Sequence, residues 1–114
     1  MSLSFSSSIS GIQAAFHTLN VSAHNTANMN TDGFKRQRVS LSEGNHKMVT
    51  VNVIESSEPG PMYQHANGTI AEASNVDISE EALTQMSAKH LLSANIAALK
   101  TSEEMQKGLL DIVA

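Results

Sequence analysis

The sequence predicts a mainly α fold, in which two long terminal helices pack as an antiparallel coiled-coil-like hairpin with a small β-hairpin and loop element between them. Apolar residues near both ends recur in steps of three and four, which places them on one face of a helix. The middle of the chain is polar, and its apolar residues alternate instead. At 114 residues we expect one domain with three segments: an N-terminal helix and exit turn (1–30), a short variable β and loop region (31–74) and a C-terminal helix (75–114).

The first helix is predicted to run to about Ala27. The Ser-rich residues 1–8 are expected to be loose until the helix starts. Ser6, Ser7 and Ser8 are candidate N-caps, because a Ser oxygen can accept from free N–H groups of the first turn. Residues 28–33 are rich in Asn, Asp and Gly, which end helices, and they predict a tight exit turn. The apolar stripe of this helix has steps of 4, 3, 4, 3 and 4 and contains Phe5, Ile9, Ile12, Phe16, Leu19 and Ala23.

The middle of the chain predicts two short hairpins. β-Prone runs lie on either side of the turn sequence Glu43-Gly44-Asn45, which indicates the first hairpin. The segment 56–61 contains two prolines and is predicted to be a loop. Asn67-Gly68 predicts a second turn between short strands at 62–65 and 69–71. This β element is too thin to be stable alone, so we expect it to lie against a helix.

The second helix has a clear predicted start. Asp77 and Glu80 form a D-x-x-E capping box, and Glu81 adds negative charge near the positive end of the helix dipole. The helix is predicted to continue to Ile112, with fraying of its last turn at Gly108. It carries one apolar stripe of Leu92, Ile96, Leu99, Leu110 and Val113, and a second of Leu91, Ala98, Met105, Leu109 and Ile112.

The two predicted helices differ in length, so one end of the longer one must project beyond its partner as an apolar overhang, which predicts oligomerisation. Within one chain, we expect Ile12, Phe16 and Leu19 to meet residues of the first C-terminal stripe, while the second stripe meets neighbouring copies. The predicted helix-packing residues are Ile9, Ile12, Phe16, Leu19, Leu92, Ile96, Leu99, Met105, Leu109 and Ile112.

Composition narrows the possible partners. The net charge of −4 argues against a nucleic-acid interface, which needs a basic face. Lys35, Arg36 and Arg38 form the one dense basic cluster, which is interpreted as a solvated edge. No apolar run approaches the ~20 residues of a membrane span, so no membrane insertion is predicted. The N-terminal residues lack the features of a cleavable secretory signal.

The sequence predicts no enzyme and no catalytic, metal or cofactor site. His17 and His24 lie seven residues apart, whereas zinc ligands on one helix usually lie three or four apart. The chain contains no glycine-rich nucleotide-binding motif, metalloprotease motif or nucleophile elbow. It also contains no Cys, which excludes thiol chemistry.

Residues 25–36 read N-x-A-N-x-N-T-x-G-F-K-R, and residues 74–77 read S-N-V-D. In these two signatures the chain resembles the bacterial flagellar rod and hook proteins. The family's A-N and K-T-x-x-E-M runs resemble Ala94-Asn95 and residues 100–105. The resemblance singles out a motif turn of Asn25, Asn28, Asn30, Thr31, Gly33 and Phe34, and a C-helix start of Asn75, Val76 and Asp77.

This resemblance implies a structural subunit of the flagellar basal-body rod, whose terminal helices pair and pack against neighbours in a helical tube. The implied partners are other rod and hook subunits, further copies of the chain, and the flagellar type III export apparatus. Export would occur without cleavage, to the periplasmic rod of the basal body, and no cofactor is implied.

Two features depart from the family pattern. The stretch 89–93 lacks the aromatic and Arg residues that often precede the A-N pair. The short middle region favours a proximal-rod subunit, whereas the motif from Gly33 to Arg36 is more similar to distal-rod and hook members. The alternative function is a soluble helical binding module, a diverged rod paralogue acting as a cap, regulator or chaperone.

Overall fold

The computed structural model describes residues 2–113, and within that range it contains two helices and two small antiparallel hairpins. The predicted helix-rich class with a β element between the helices is therefore confirmed. In chain order the elements are α1 (Ser2–Ala27), β1 (Gln37–Glu43), β2 (Val49–Glu55), β3 (Met62–Gln64), β4 (Ile70–Glu72) and α2 (Ile78–Val113).

Helix α1 begins at Ser2, so the expectation of a loose Ser-rich segment was wrong for residues 2–8. Two serines bond this segment to the first hairpin instead. The Ser7 hydroxyl donates to the carbonyl of Lys47 at 2.8 Å, and the Ser10 hydroxyl accepts from the N–H of Val49 at 3.0 Å. Ser7, a predicted cap candidate, therefore lies inside the helix and contacts the first hairpin.

Strands β1 and β2 form the first hairpin, with Val39 opposite Val53 and Leu41 opposite Val51. Its turn is longer than the three residues predicted from sequence, because Gly44 donates to the carbonyl of Met48 across a short 3-10 segment, Asn45–Lys47. The side chains at 37, 39, 49 and 51 are half-buried, whereas those between them are exposed. This alternation, with the bonds from Ser7 and Ser10, places one face of the hairpin against α1.

The second hairpin pairs β3 with β4, and Gln64 lies opposite Ile70. The predicted Asn67-Gly68 turn is confirmed. Gly68 has a positive φ of 91°, a backbone conformation that glycine adopts without steric cost, and His65 and Thr69 bond across the base of the turn.

Helix α2 begins after Asp77, whose carboxylate accepts from the N–H of Ser79 at 2.9 Å. In a capping box, the Glu80 carboxylate would also accept from the N–H of Asp77. The described contacts do not include that bond, because the Glu80 carboxylate instead pairs with Arg36 and Arg38. The helix continues through Gly108 to Val113, so the predicted fraying of the last turn is not found in the described range.

Helices α1 and α2 contact each other with their residue numbers running in opposite directions. Ser22 bonds to Glu81 near one end of the contact, and Gly11 lies against Asn95 nearer the other. The helices approach closely there, since a Cβ placed on Gly11 would lie 2.5 Å from Oδ1 of Asn95.

The residues of α2 that are shielded from solvent recur in steps of four and three, as in a coiled coil, but many of them are polar. The predicted packing through a continuous apolar seam is therefore not shown by the contacts within one chain. The shielded residues are Glu81, Gln85, Ala88, Leu92, Asn95, Leu99 and Ser102.

The described core is small. Its buried apolar side chains are Ala14, Ala15, Val21 and Ala88, while larger apolar side chains are half-buried or exposed. The molecule is a thin rod with principal extents of 78 × 23 × 14 Å. Among the described helices, none combines the length and hydropathy that a transmembrane span requires.

Candidate functional site

Polar side chains from four segments meet where α1 ends, β1 begins and α2 starts. We call this group, Ser22, Asn25, Arg36, Asn75 and Glu81, the polar junction. All of its members except Asn75, which is half-buried, are buried. Because a buried polar group without a hydrogen bond is costly, the partners of these side chains fix how the segments are joined.

Asn25 connects α1 to β1. Its side-chain Oδ1 accepts from the N–H of Gln37 at 2.9 Å, and its Nδ2 donates to the carbonyl of Gln37 at 2.7 Å. The side-chain amide of Asn25 thus both accepts from and donates to the main chain of Gln37. The same Nδ2 also donates to the carboxylate of Glu81 at 3.1 Å.

Glu81 connects the start of α2 to α1. Its carboxylate accepts from the Ser22 hydroxyl at 2.6 Å as well as from Asn25, and Gln85 donates to the Ser22 hydroxyl from the next turn. The sequence indicates only a dipole role for Glu81, but the structure places it in the contact between the helices. The signal for this was its position, four residues before Gln85 and seven before Ala88 on one helix face.

Asn75 connects the approach to α2 with the segment that follows the exit turn. Its Oδ1 accepts from the N–H of Arg36 at 2.6 Å, and its Nδ2 donates to the carbonyl of Glu58 at 2.8 Å. Its own N–H donates to the carbonyl of Phe34 at 3.3 Å. Val76 is half-buried, and its N–H bonds to the hydroxyl of the buried Ser74.

The basic cluster is paired within the chain. The Arg36 side chain is only 10% exposed and forms ion pairs with Glu58, at 3.1 Å, and with Glu80. Arg38 also reaches Glu80, at 3.2 Å, and Lys35 pairs with Glu72. The interpretation of a solvated edge was therefore wrong for Arg36, which has a structural position between the loop and α2.

The motif turn is held by short-range bonds. Asn28 donates to the carbonyl of His24, and Thr31 donates to the Oδ1 of Asn28. Gly33 has a φ of 72°, which favours glycine, and its N–H donates to the carbonyl of Glu72. Two further predicted turn residues differ in environment: Asn30 is exposed, and Phe34 packs edge-on against the ring of His24 at 5.4 Å.

Polar contacts also bind the second hairpin to the exit turn. The Tyr63 hydroxyl donates to the Asp32 carboxylate at 2.5 Å, and Nε2 of His65 lies 3.6 Å from the same carboxylate. The hydrogen bond to Asp32 raises the pKa of Tyr63 above its ordinary value of 10.0. The ammonium of Lys35, followed by the N–H of Gly60, lowers the pKa of the Glu72 carboxyl.

The predicted packing residues of α1 form a stripe along the helix that is only partly covered. The side chains of Ile9 and Phe16 are about half exposed, at 45% and 52%, while Ile12 and Leu19 are half-buried. Helix α1 contains no Asp, Glu, Lys or Arg along its 26 residues. Surface helices usually present charged residues to water, so a long outer face without Asp, Glu, Lys or Arg is typical of a surface that becomes covered.

The predicted packing residues of α2 are also only partly covered. Leu92 and Leu99 are half-buried, whereas Ile96 is 50% exposed. The side chains of Met105, Leu109 and Ile112 are more exposed still, Ile112 at 83%. The single chain therefore covers some predicted packing residues of each helix in part and leaves the others exposed.

The last turns of α2 extend beyond α1, as the difference in helix length predicts. Gly11 lies against Asn95, and α1 begins nine residues before Gly11, so its first residue corresponds to Glu104 on α2. The residues after Glu104 pass the described start of α1 and are all exposed as far as Val113. This segment is the apolar overhang.

No protein-family model matches the chain, and no curated protein shows a significant match to it. The side chains of the polar junction are paired within the chain, except that the buried Nε of Arg36 has no hydrogen-bond partner among the described residues. Large apolar side chains along both helices are exposed.

A cavity of about 410 Å³ adjoins the polar junction and is lined in part by Arg38, Glu80 and Leu83. Arg38 and Glu80 already pair with each other, and the carboxylate of Glu81, which also lines the cavity, accepts from Ser22 and Asn25. Across the described residues, no three His, Asp or Glu side chains come together in a group that could hold a metal ion.

Proposed function

We propose that the chain is a structural subunit of the bacterial flagellar basal-body rod, which assembles through its terminal helices into the axial tube. Two features of the described residues carry the proposal. The buried apolar core consists of four small side chains, and large apolar side chains are exposed along both helices. A chain with this distribution gains stability when copies cover one another.

The resemblance to rod and hook proteins supports the proposal through contacts as well as through sequence. Its N-terminal motif contributes Asn25 and Arg36, and its C-terminal motif contributes Asn75, and these residues belong to one junction. The two motifs therefore have a common physical role, which is to set the direction in which the chain leaves α1 and enters α2.

In the proposed tube, the antiparallel pair of helices is completed into a coiled-coil-like bundle by neighbouring subunits. Ile12, Leu19, Leu92 and Leu99 are half-buried in the single chain and would become fully buried. The stripe that ends in Met105, Leu109 and Ile112 would pack against adjacent subunits. The partners are other rod or hook subunits and further copies of the chain, and the export apparatus would deliver each subunit to the periplasmic rod.

The presence of the chain within isolated basal bodies tests this proposal. Basal bodies purified from cells that make a tagged copy should contain it in the rod, as judged by mass spectrometry and gold labelling. A tagged copy that restores motility yet stays outside the basal body would contradict a structural role. That outcome would favour the alternative, a soluble module that regulates or chaperones rod components.

A further inference from the structure

The turn of the second hairpin contains the one asparagine in the chain that is followed by glycine. Asn67 and Gly68 are both exposed, and Gly68 has a φ of 91°. The pair suits such a turn, because both residue types tolerate a positive φ. It is also chemically reactive, because glycine has no side chain to keep its main-chain nitrogen away from the side-chain carbonyl carbon of the preceding asparagine.

The side-chain amide of Asn67 is held with its carbonyl group polarised. Its Oδ1 accepts from the N–H of Thr69 at 3.1 Å and from the hydroxyl of the same residue at 2.6 Å. Hydrogen bonds to a carbonyl oxygen stabilise the negative charge that develops on that oxygen when a nucleophile adds to the carbon. Thr69 therefore favours attack on Cγ of Asn67.

The nucleophile at this turn is the main-chain nitrogen of Gly68. Its N–H donates to the carbonyl of His65 at 2.9 Å, so the turn must open before the nitrogen can attack. Strands β3 and β4 have three residues each, and the side chains of β3 are all exposed. A two-stranded hairpin of this size has few contacts that oppose opening, so it opens locally far more often than the whole chain unfolds.

We infer that Asn67 is a site of spontaneous deamidation, with water as the only co-reactant. The nitrogen of Gly68 bonds to Cγ of Asn67, the Cγ–Nδ2 bond breaks, and Nδ2 leaves as ammonia with the proton that Gly68 gives up through solvent. Water then opens the succinimide ring that has formed. Addition of water at Cγ gives aspartate, whereas addition at the main-chain carbonyl carbon gives isoaspartate, in which the main chain runs through Cβ and Cγ. This inference is independent of the rod function.

Isoaspartate at residue 67 lengthens the main chain of the turn by one carbon atom. The bond from the N–H of His65 to the carbonyl of Thr69, and the register of β3 on β4, depend on the length of that turn. Conversion to isoaspartate therefore separates the two strands and loosens the contact between Tyr63 and Asp32. Aspartate at the same position keeps the main chain unchanged and adds only a charge.

Incubation of the full chain in mildly alkaline buffer, followed by peptide mass spectrometry, tests the site. The expected result is replacement of NH₂ by OH at Asn67 about tenfold faster than at Asn45, which is exposed in the other hairpin turn but precedes His46. Enzymatic methylation of isoaspartate should label the same peptide. Asn67→Gln should abolish both signals at this position, because its longer side chain closes a less favourable ring. Equal rates at Asn67 and Asn45 would overturn the inference.

A matched variant in the first hairpin tests whether the following glycine is the cause. His46 has a φ of 59°, so glycine fits its backbone conformation, and His46→Gly should raise the rate at Asn45 severalfold while leaving the rate at Asn67 unchanged. An unchanged rate at Asn45 in this variant would overturn the role of the following residue.

Tyr63 reports on the consequence for the second hairpin. In the purified isoaspartate form, the pKa of Tyr63 should fall towards its ordinary value of 10.0, because the hydroxyl has lost its bond to Asp32. The aspartate form is the control, and it should titrate as the parent does. Identical titration of the parent and the isoaspartate form would overturn the loosening of the hairpin.

Discussion

Asn25 binds the main chain of Gln37 in both directions, accepting from its N–H at 2.9 Å and donating to its carbonyl at 2.7 Å. These two hydrogen bonds resemble those between paired residues of a β-sheet. They join the last turn of α1 to the first residue of β1. Because Asn25 is almost fully buried and also bonds to Glu81, one side chain fixes the relative positions of α1, β1 and α2.

Replacing Asn25 with alanine should destabilise the fold. Asn25→Ala leaves the N–H of Gln37 and one contact of the Glu81 carboxylate without a partner, so the free energy of unfolding should fall by about 1–3 kcal/mol. Urea unfolding followed by circular dichroism measures this loss. Asn20→Ala is the matched control, because Asn20 is an exposed residue of the same helix, and it should change stability by less than about 0.5 kcal/mol. Equal stability of the two variants would contradict the role assigned to the junction.

Two glycines should respond to alanine in opposite ways. A Cβ on Gly60 would collide with the main-chain carbonyl of Ala73, so Gly60→Ala should destabilise the chain by about 1–3 kcal/mol. Gly108 lies within α2 with no atom near the added methyl, so Gly108→Ala should stabilise the helix by up to about 1 kcal/mol. The melting temperatures of both variants test the pair, and a lower value for Gly108→Ala would show that the overhang is not helical.

The single tyrosine reports on the contact between the second hairpin and the exit turn. Because the bond to Asp32 raises the pKa of Tyr63, its phenol should ionise above pH 10.0 in the folded chain. The contact stabilises the fold fully below the unfolded pKa and is lost as pH rises through the folded pKa. Tyrosinate absorbance measures the titration, which Asp32→Asn should return towards 10.0. An identical titration in Asp32→Asn would show that the hydrogen bond is absent in solution.

A charge on the exposed part of the C-terminal stripe should block assembly without unfolding the chain. Ile96 is half exposed, so Ile96→Asp should change the free energy of unfolding by about 1 kcal/mol or less. In cells that lack the native chain, it should accumulate normally but fail to restore rods. Ala97→Asp adds the same charge to an exposed position about 100° round the helix and should restore them. Normal rods with Ile96→Asp would contradict packing through this stripe.

Local sequence signals predicted the elements well, because the residues that end helices and form turns act on their own backbone. Asn67-Gly68 lies in the turn between β3 and β4, and Asp77 precedes α2, as predicted. The Ser-rich start was mispredicted for the opposite reason. Ser7 is a weak helix former in isolation, but its bond to the distant hairpin compensates for that preference.

The polar junction could not be predicted in the same way. Arg36 and Asn75, or Ser22 and Glu81, are far apart in sequence, and neither pair has a spacing that indicates contact. The heptad pattern of α1 was equally ambiguous, because it indicates that a seam exists without showing which helix covers it. The buried contacts of Gly11 and Ser22 with α2 depend on small size, which hydrophobic periodicity does not detect.

Deletion of the gene in the encoding bacterium tests whether the chain is built into the rod, as we propose. Electron microscopy of basal bodies from the deletion strain should show rods that are missing or truncated, and the intact gene should restore both rods and motility. Intact rods and normal swimming in the deletion strain would contradict the structural role and favour an accessory binding module.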